Sequence, residues 1–453
     1  MKRNLILFLA LNLSCSVENQ EEFVSVREPE TILIEPQTPV NYALTVSAGT
    51  GGSVSPTSGT FESGTEITIT ATPNIGFMFV GWSGTSSGFN PSLIINISQN
   101  TSLTATFEPL IYLEENGITI KAKPESSIGL TEFNGQTFEI IGENKLREMV
   151  NNGEDLSRVI TSKVNNMDDL FSDLNDITDI NGDISHWDVS NVLYMRRMFR
   201  GITFNPPIAN WDTSSLLYAD QMFYNSEFNL DISQWNTGNL ISTAQMFFFS
   251  PFNQPLNDWD VSNVTNMFRM FGDTPFNHPL NDWDVSNVTN MNQMFGFSKF
   301  NQNISAWDVS NVTNMLAMFY FSPFNQPLND WDVSNVTKMD SMFLVTPFNQ
   351  DISNWDVSNV TSMSGMFQTT PFNQDISAWD VSNVTDMENI FSFVSTDYTF
   401  LFNDSELSNF NQDLSSWDVS NVIKCANFYT CANTVWTLSK PNFTKCLGPL
   451  CSQ

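Results

Sequence analysis

The chain has 453 residues, with 18 Lys and Arg against 49 Asp and Glu, and a formal net charge of −31. That length allows two or three domains, and that charge repels a phosphate backbone, which argues against nucleic acid as a partner. Hydrophobic residues make up 41% and aromatic residues 13%, too apolar a mixture for a disordered acidic tail.

Residues 1–14 read as a signal peptide: Lys2 and Arg3 supply the positive start and Leu5 to Leu11 the apolar run, which is too short to span a bilayer. The sequence Leu11-Asn12-Leu13-Ser14-Cys15 resembles the lipobox of bacterial lipoproteins, although Asn12 stands where that motif prefers Leu. The resemblance implies cleavage before Cys15 and acylation of its thiol, a firm membrane anchor. Residues 15–40, rich in Glu and Pro, are expected to form an acidic tether.

Residues 41–109 alternate β-branched and polar side chains in Ala43–Val46, Glu66–Ala71 and Leu103–Phe107, with Gly51-Gly52, Pro56, Gly64 and Pro73-Asn74 between them, which predicts short antiparallel strands. Gly51-Gly52-x-Val54-x-Pro56, Ala71-Thr72-Pro73-x-x-Gly76, Phe79-x-Gly81-Trp82 and Thr104-Ala105-x-Phe107 resemble the internalin-B-type B repeat of bacterial surface proteins. The resemblance implies a small β-grasp-like module used as a stalk or auxiliary adhesive unit. Trp82 is expected in its core, since so small a domain has few other large side chains to bury.

Residues 110–171 form a bridge and N-terminal cap, with strands expected near Gly117–Ala122 and Gln136–Ile141 and a helix from Asn144 to Asn151 begun by an Asn cap. Val164-x-x-Met167-x-x-Leu170-Phe171 repeats half of the motif that follows, as the covering end of a repeat array would.

That motif fills residues 172–424. Nine tryptophans stand 24 residues apart from Trp187 to Trp379, and Trp417 follows after an insertion around Tyr398–Asn409. The consensus runs F-N-Q-x-I/L-S/N-x-W-D-V-S-N-V-T-x-M-x-x-M-F. In the rung around Trp379, Ile376, Trp379, Val381 and Val384 follow the spacing of a strand in a leucine-rich repeat. The V-x-x-M-x-x-M-F half puts apolar groups on one helical face. The expected fold is therefore an α+β leucine-rich-repeat-like solenoid of ten 24-residue rungs, each a short strand plus a short helix or 3₁₀ turn. Trp, Met and Phe columns are read as core, and the Asn column (Asn205, Asn229 and onward) as bonding backbone groups within each turn.

The array, its cap and Lys440-Pro441-Asn442-Phe443-Thr444-x-Cys446 resemble the BspA-type leucine-rich repeat surface proteins of bacteria, with W-D-V-S-N-V-T-x-M nearly unbroken in seven rungs. The resemblance implies an adhesin-like surface protein and carries over no catalytic residue. Residues 425–453 read as a C-terminal cap holding Cys425, Cys431, Cys446 and Cys451, an even set that in an exported chain suggests two disulfides rather than a zinc site. Cys425 occupies the Met column of the last rung. Of three connectivities, the resemblance supports Cys425–Cys446, with Cys431–Cys451 as the remaining pair.

Residues 181–420 hold 26 acidic and six basic residues, a balance of −20. An Asp follows nine of the ten repeat tryptophans, including Asp356 and Asp380, and backbone or Ser donors are expected to compensate the column; calcium between carboxylates is the alternative, and no cofactor is expected. The residue before Trp varies from rung to rung, which nominates Asp258, Asp282, Asp330 and Asn354, with Asp356 and Asp380, as a binding surface. His186 and His278, the two histidines, sit in repeat columns and form no dedicated site. No enzyme is expected, a two-carboxylate glycoside hydrolase being the remote alternative. The expectation is an exported, lipid-anchored cell-surface protein, placed at a bacterial outer membrane, whose repeats bind a protein or glycan. A structural spacer without ligand is the competing class.

Overall fold

The computed structural model describes residues 38–172, 180–393, 410–430, 436–446 and 449–452. The signal peptide, Cys15, nearly all of the tether, the Tyr398–Asn409 insertion and Cys431 lie outside the described residues.

Seven strands build the first domain: β1 (Asn41–Ala48), β2 (Gly52–Ser55), β3 (Ser58–Glu62), β4 (Glu66–Pro73), β5 (Phe77–Gly84), β6 (Ser92–Asn96) and β7 (Thr101–Pro109). They form two sheets, β3-β1-β7-β5 and β2-β4-β6. Alternation decides the packing: Leu44 and Val46 of β1, Ile69 and Ala71 of β4, and Leu103, Ala105 and Phe107 of β7 point into one core, and their neighbours face solvent. Trp82 is 4% exposed in that core and donates its indole N–H to the Asn90 carbonyl at 3.0 Å. The β-grasp expectation is corrected, because residues 41–109 contain strands and turns but no helix.

The bridge comprises β8 (Ile111–Leu113), β9 (Ile120–Ala122), β10 (Gly129–Phe133), β11 (Gln136–Ile140), α1 (Glu143–Asn151) and β12 (Val159–Ile160). Helix α1 starts after Gly142 with no side-chain cap, so Asn144 is inside the helix and not its cap. It buries Leu146, Met149 and Val150 against the first rungs.

The repeats are where sequence and structure part. The leucine-rich-repeat-like solenoid with a strand and a helix in each rung is overturned: α1 is the one helix among the described residues, and each rung is a succession of tight turns. In the rung of Trp283, the Trp283 amide donates to the Leu280 carbonyl and the Val288 amide to Val285, so the supposed strand contains two turns. Extended structure shrinks to one bridge residue, Asn290, paired in parallel with Asn266 and Asn314; the same single bridge recurs from Asn166 to Lys424.

The supposed helix fails for a backbone reason. Gln293 and Phe297 have φ of 53° and 60°, in the left-handed region, and the equivalent positions of most other rungs do the same. A right-handed helix cannot pass through such a residue. Amides therefore alternate in direction: those of Met291, Gln293, Phe295 and Phe297 donate to Asn314, Leu316, Met318 and Tyr320 of the next rung, while those of Met294, Gly296 and Ser298 donate three residues back. The three-residue turn spacing imitates a helical apolar period. Every amide in this run finds a partner without a helix.

The interior follows the same 24-residue logic. Phe276, Leu280, Val288, Met291, Met294 and Phe295 are fully buried, with Trp283 at 3%. Tryptophan rings stack along the array with centroids 6.3–6.5 Å apart and planes 3–5° from parallel. From Trp211 to Trp417 each indole N–H donates at 2.8–3.2 Å to the carbonyl three residues before the previous Trp, which satisfies the one polar atom of a buried ring. The Asn column bonds between rungs and not within a turn: Asn229 Oδ1 accepts the Asn253 amide, and Gln254 Nε2 reaches the Asn229 carbonyl. His278 takes the Gln position and makes the same contact, its Nε2 3.0 Å from the Asn253 carbonyl.

Both ends are covered. Val164, Met167, Leu170 and Phe171 join the repeat core, and Phe171 stacks on Phe199. At the other end the Asn427 and Tyr429 amides, which elsewhere would meet a next rung, donate to the Pro449 and Leu450 carbonyls. There β13 (Tyr429–Thr430) pairs with β14 (Cys451–Ser452) in parallel. Cys425, fully buried, is disulfide-bonded to Cys446 with a Cα–Cα distance of 6.0 Å. Trp436 donates to the Gln412 carbonyl and packs on Phe410 and Phe391, and Phe443 meets Phe428. No helix among the described residues is long and apolar enough to cross a membrane.

Candidate ligand-binding face

The residues flanking each buried Trp stand on turns. Asp258, Asp282, Asp330 and Asn354 precede a tryptophan and Asp356 and Asp380 follow one, and all six are exposed. They are not equally available. Asp282 accepts from Asn257 and Asn281, and the Asn354 amide donates to Asn329 Oδ1. Asp356 and Asp380 each accept the amide of the serine two residues on, at 3.0 Å. In the first rung the same column is closed: His186 is packed beneath the bridge with Nε2 3.0 Å from the Val159 carbonyl, and Asp188 is 2% exposed and bonded to Ser162 and Ser190.

Those serine contacts set the charge behaviour of the column. Ser hydroxyl and amide donors hold the carboxyls of Asp260, Asp308, Asp356 and Asp380 below their ordinary range, against a smaller opposing push between neighbours such as Asp356 and Asp380. Among the described residues, no three His, Cys, Asp or Glu side chains group as metal ligands. A carboxyl depressed in the folded state stabilises the fold above its unfolded pKa, near 4 for Asp, and loses that contribution as pH falls through the folded value. Burial lowers the His186 imidazole similarly, so its protonation also opposes folding as pH falls. Melting temperature is therefore expected to hold from pH 8 to about 6.5, the ordinary His value, and then to fall, most steeply below about 4. Each exposed aspartate adds little singly, so a melting point unchanged at pH 3 would contradict the assignment.

A second exposed face lies on the turns that follow the Met column. Thirteen and fourteen residues after the tryptophans from Trp211 to Trp331 stand Tyr224 and Asn225, Phe248 and Phe249, Gly272 and Asp273, Gly296 and Phe297, Tyr320 and Phe321, then Leu344 and Val345. Here a cleft of about 400 Å³ opens between rungs, with Tyr224, Phe248, Phe249 and Phe297 as its rings and Arg269, Asp273 and Gln293 as its polar groups. Phe249 and Phe297 are 47% and 45% exposed, whereas the consensus aromatics are buried. The Arg269 guanidinium lies 5.1 Å from the ring centres of both Phe248 and Phe268, and its Nε donates to Gln293 Oε1. None of the six residues nominated from the sequence lines this cleft. The signal was available: aligned by 24, these two columns change chemistry more sharply than the column before Trp.

Five overlapping stretches of the chain, residues 143–251, 228–323, 248–346, 296–399 and 345–443, match the family described as Mycoplasma protein of unknown function, DUF285. Together they run through residues 143–443, more than half of the chain. The chain belongs to the DUF285 family. Residues 42–110 match the divergent InlB B-repeat domain, the two-sheet domain described above. None of the curated proteins and none of the solved structures matches the chain. The DUF285 match begins at helix α1, so the bridge helix and the half-rung ending at Phe171 fall within the first matched stretch.

Proposed function

We propose that this DUF285 protein is exported, held to a membrane through acylated Cys15, and uses its repeat array as an adhesion module for a protein or glycan outside the cell. One observation carries the reading: the interior columns repeat almost unchanged through ten rungs, while exposed columns at fixed places on the same backbone vary. A scaffold that holds its core constant and varies its surface is suited to recognition. The BspA-type resemblance supports a surface location, with the B-repeat domain and tether lifting the array off the membrane. The acidic balance of residues 181–420 favours basic or uncharged partners.

The test is binding of the full chain to immobilised matrix proteins and glycans, read as saturable isotherms. Saturable binding to at least one surface is expected; its absence throughout would favour the spacer reading. For the anchor, Cys15→Ala is expected to move the protein from the detergent phase to the aqueous phase in detergent partitioning. An unchanged detergent-phase fraction would remove the anchor from this proposal.

A further inference from the structure

The column fourteen residues after Trp is held in the left-handed region. Asn225, Phe249, Asp273, Phe297, Phe321, Val345 and Thr369 have φ between 50° and 60°, and Gly201 has 73°. Gly, Asn and Asp take this conformation at little cost, and bulky side chains do not. Phe249 and Phe297 therefore carry two penalties, since the backbone is strained and both residues are exposed. Folding alone would favour Asn there, as at Asn225. Strain held in place together with exposed apolar surface marks a site selected for something other than stability.

The surroundings make that site a cleft. Most rungs place a side chain of some size thirteen residues after Trp, such as Tyr224, Phe248 and Tyr320, but two consecutive rungs have Gly272 and Gly296. A Cβ on Gly272 would lie 2.8 Å from the Phe248 ring. A Cβ on Gly296 would meet only ordinary contacts, the nearest at 3.5 Å, so glycine is not forced on that position by packing. Its missing side chain leaves the space between Phe249 and Phe297 open. Those two rings stand two rungs apart, roughly 10 Å at strand spacing. Between them are a guanidinium with five N–H donors, a carboxylate and an amide: Arg269, Asp273 and Gln293.

Flat apolar faces alternating with hydrogen-bond donors and acceptors fit a sugar ring, whose axial C–H groups meet an aromatic face while its hydroxyls both donate and accept. A volume of about 400 Å³ suits a small ligand, and a protein partner would need a much wider contact. The balance of −20 over residues 181–420 disfavours sulfated or uronic-acid chains. We infer that this cleft binds a neutral oligosaccharide, with pyranose faces on Phe249 and Phe297 and hydroxyls on Arg269, Asp273 and Gln293. The inference rests on the adhesion reading and names the ligand class for it.

The experiment uses the full chain on an array of neutral oligosaccharides, including cello-, chito-, manno- and galacto-hexaose, followed by calorimetric titration of the strongest. The double variant Phe249→Asn, Phe297→Asn is expected to weaken binding at least tenfold while its melting temperature stays level or rises, since Asn relieves the left-handed strain. Gly296→Tyr, which fills the cleft with the residue found at Tyr224 and Tyr320, is expected to weaken it comparably. Absence of binding to every neutral sugar, or a bound sugar whose affinity neither variant changes, would overturn the inference. If the sugars fail but the chain still binds a matrix protein, the adhesion reading survives alone; if nothing binds, both fall.

Discussion

Replacing Trp283 with alanine is expected to destabilise the array by about 3–5 kcal/mol, the range for removing a large buried aromatic. The ring is 3% exposed, lies 6.4 Å from and nearly parallel to Trp307, touches Phe271, and donates to the Leu256 carbonyl at 2.8 Å. Its loss leaves a cavity in the middle of a one-dimensional stack and strips the Leu256 carbonyl of that donor. Neighbouring rungs cannot collapse into the space without breaking their own alignment. Trp283→Phe keeps most of the apolar contact and loses the donor, so it should cost about 1–3 kcal/mol. Urea denaturation of both variants checks the order. A loss below 1 kcal/mol for the alanine variant would mean that the stacked column is not what holds adjacent rungs together.

Breaking the Cys425–Cys446 bond should unfasten the array from its C-terminal end. The bond closes a separation of 21 residues, worth about 3 kcal/mol in the loop-entropy account. It also pins the segment whose Trp436 and Phe443 cover Phe410, Phe391 and Phe428. With Cys425→Ser and Cys446→Ser, the carbonyls of Pro449 and Leu450, which accept from Asn427 and Tyr429 in the intact cap, are expected to separate from them. Hydrogen exchange should then rise first in residues 410–430, while amides near Trp187 keep their protection. Exchange rising equally at both ends would show that the cap acts on the whole fold rather than on its last rungs.

The interior was legible because packing leaves a periodic mark. Trp, Met and Phe columns at fixed spacing had to be core whatever the backbone did, and the half-rung at Val164–Phe171 could be read as a cover from its pattern alone. The backbone was not legible, because V-x-x-M-x-x-M-F repeats its apolar groups at the spacing of a helix, yet Gln293 and Phe297 sit at positive φ. Gln, Phe and Val give no warning of that conformation; Gly201, Asn225 and Asp273 in the Phe297 column and Gly365 and Asn389 in the Gln293 column were the local hints. The face carrying Phe249 and Phe297 leaves no mark in the apolar period, which records core positions alone. The disulfide partner of Cys425 had a physical motive in the sequence, since a buried Cys in a Met column at the last rung needs a cover.

The cleft and the stack both depend on one local geometry, a run of turns from Met291 to Ser298 with left-handed residues at Gln293 and Phe297. Backbone φ-sensitive NMR couplings and ¹³Cα shifts through Asn290–Ser298 measure it directly. Interruptions at Gln293 and Phe297, each with the signature of positive φ, are expected. An unbroken helical run of shifts across these residues would contradict the fold, and with it the reason for the exposed aromatic face.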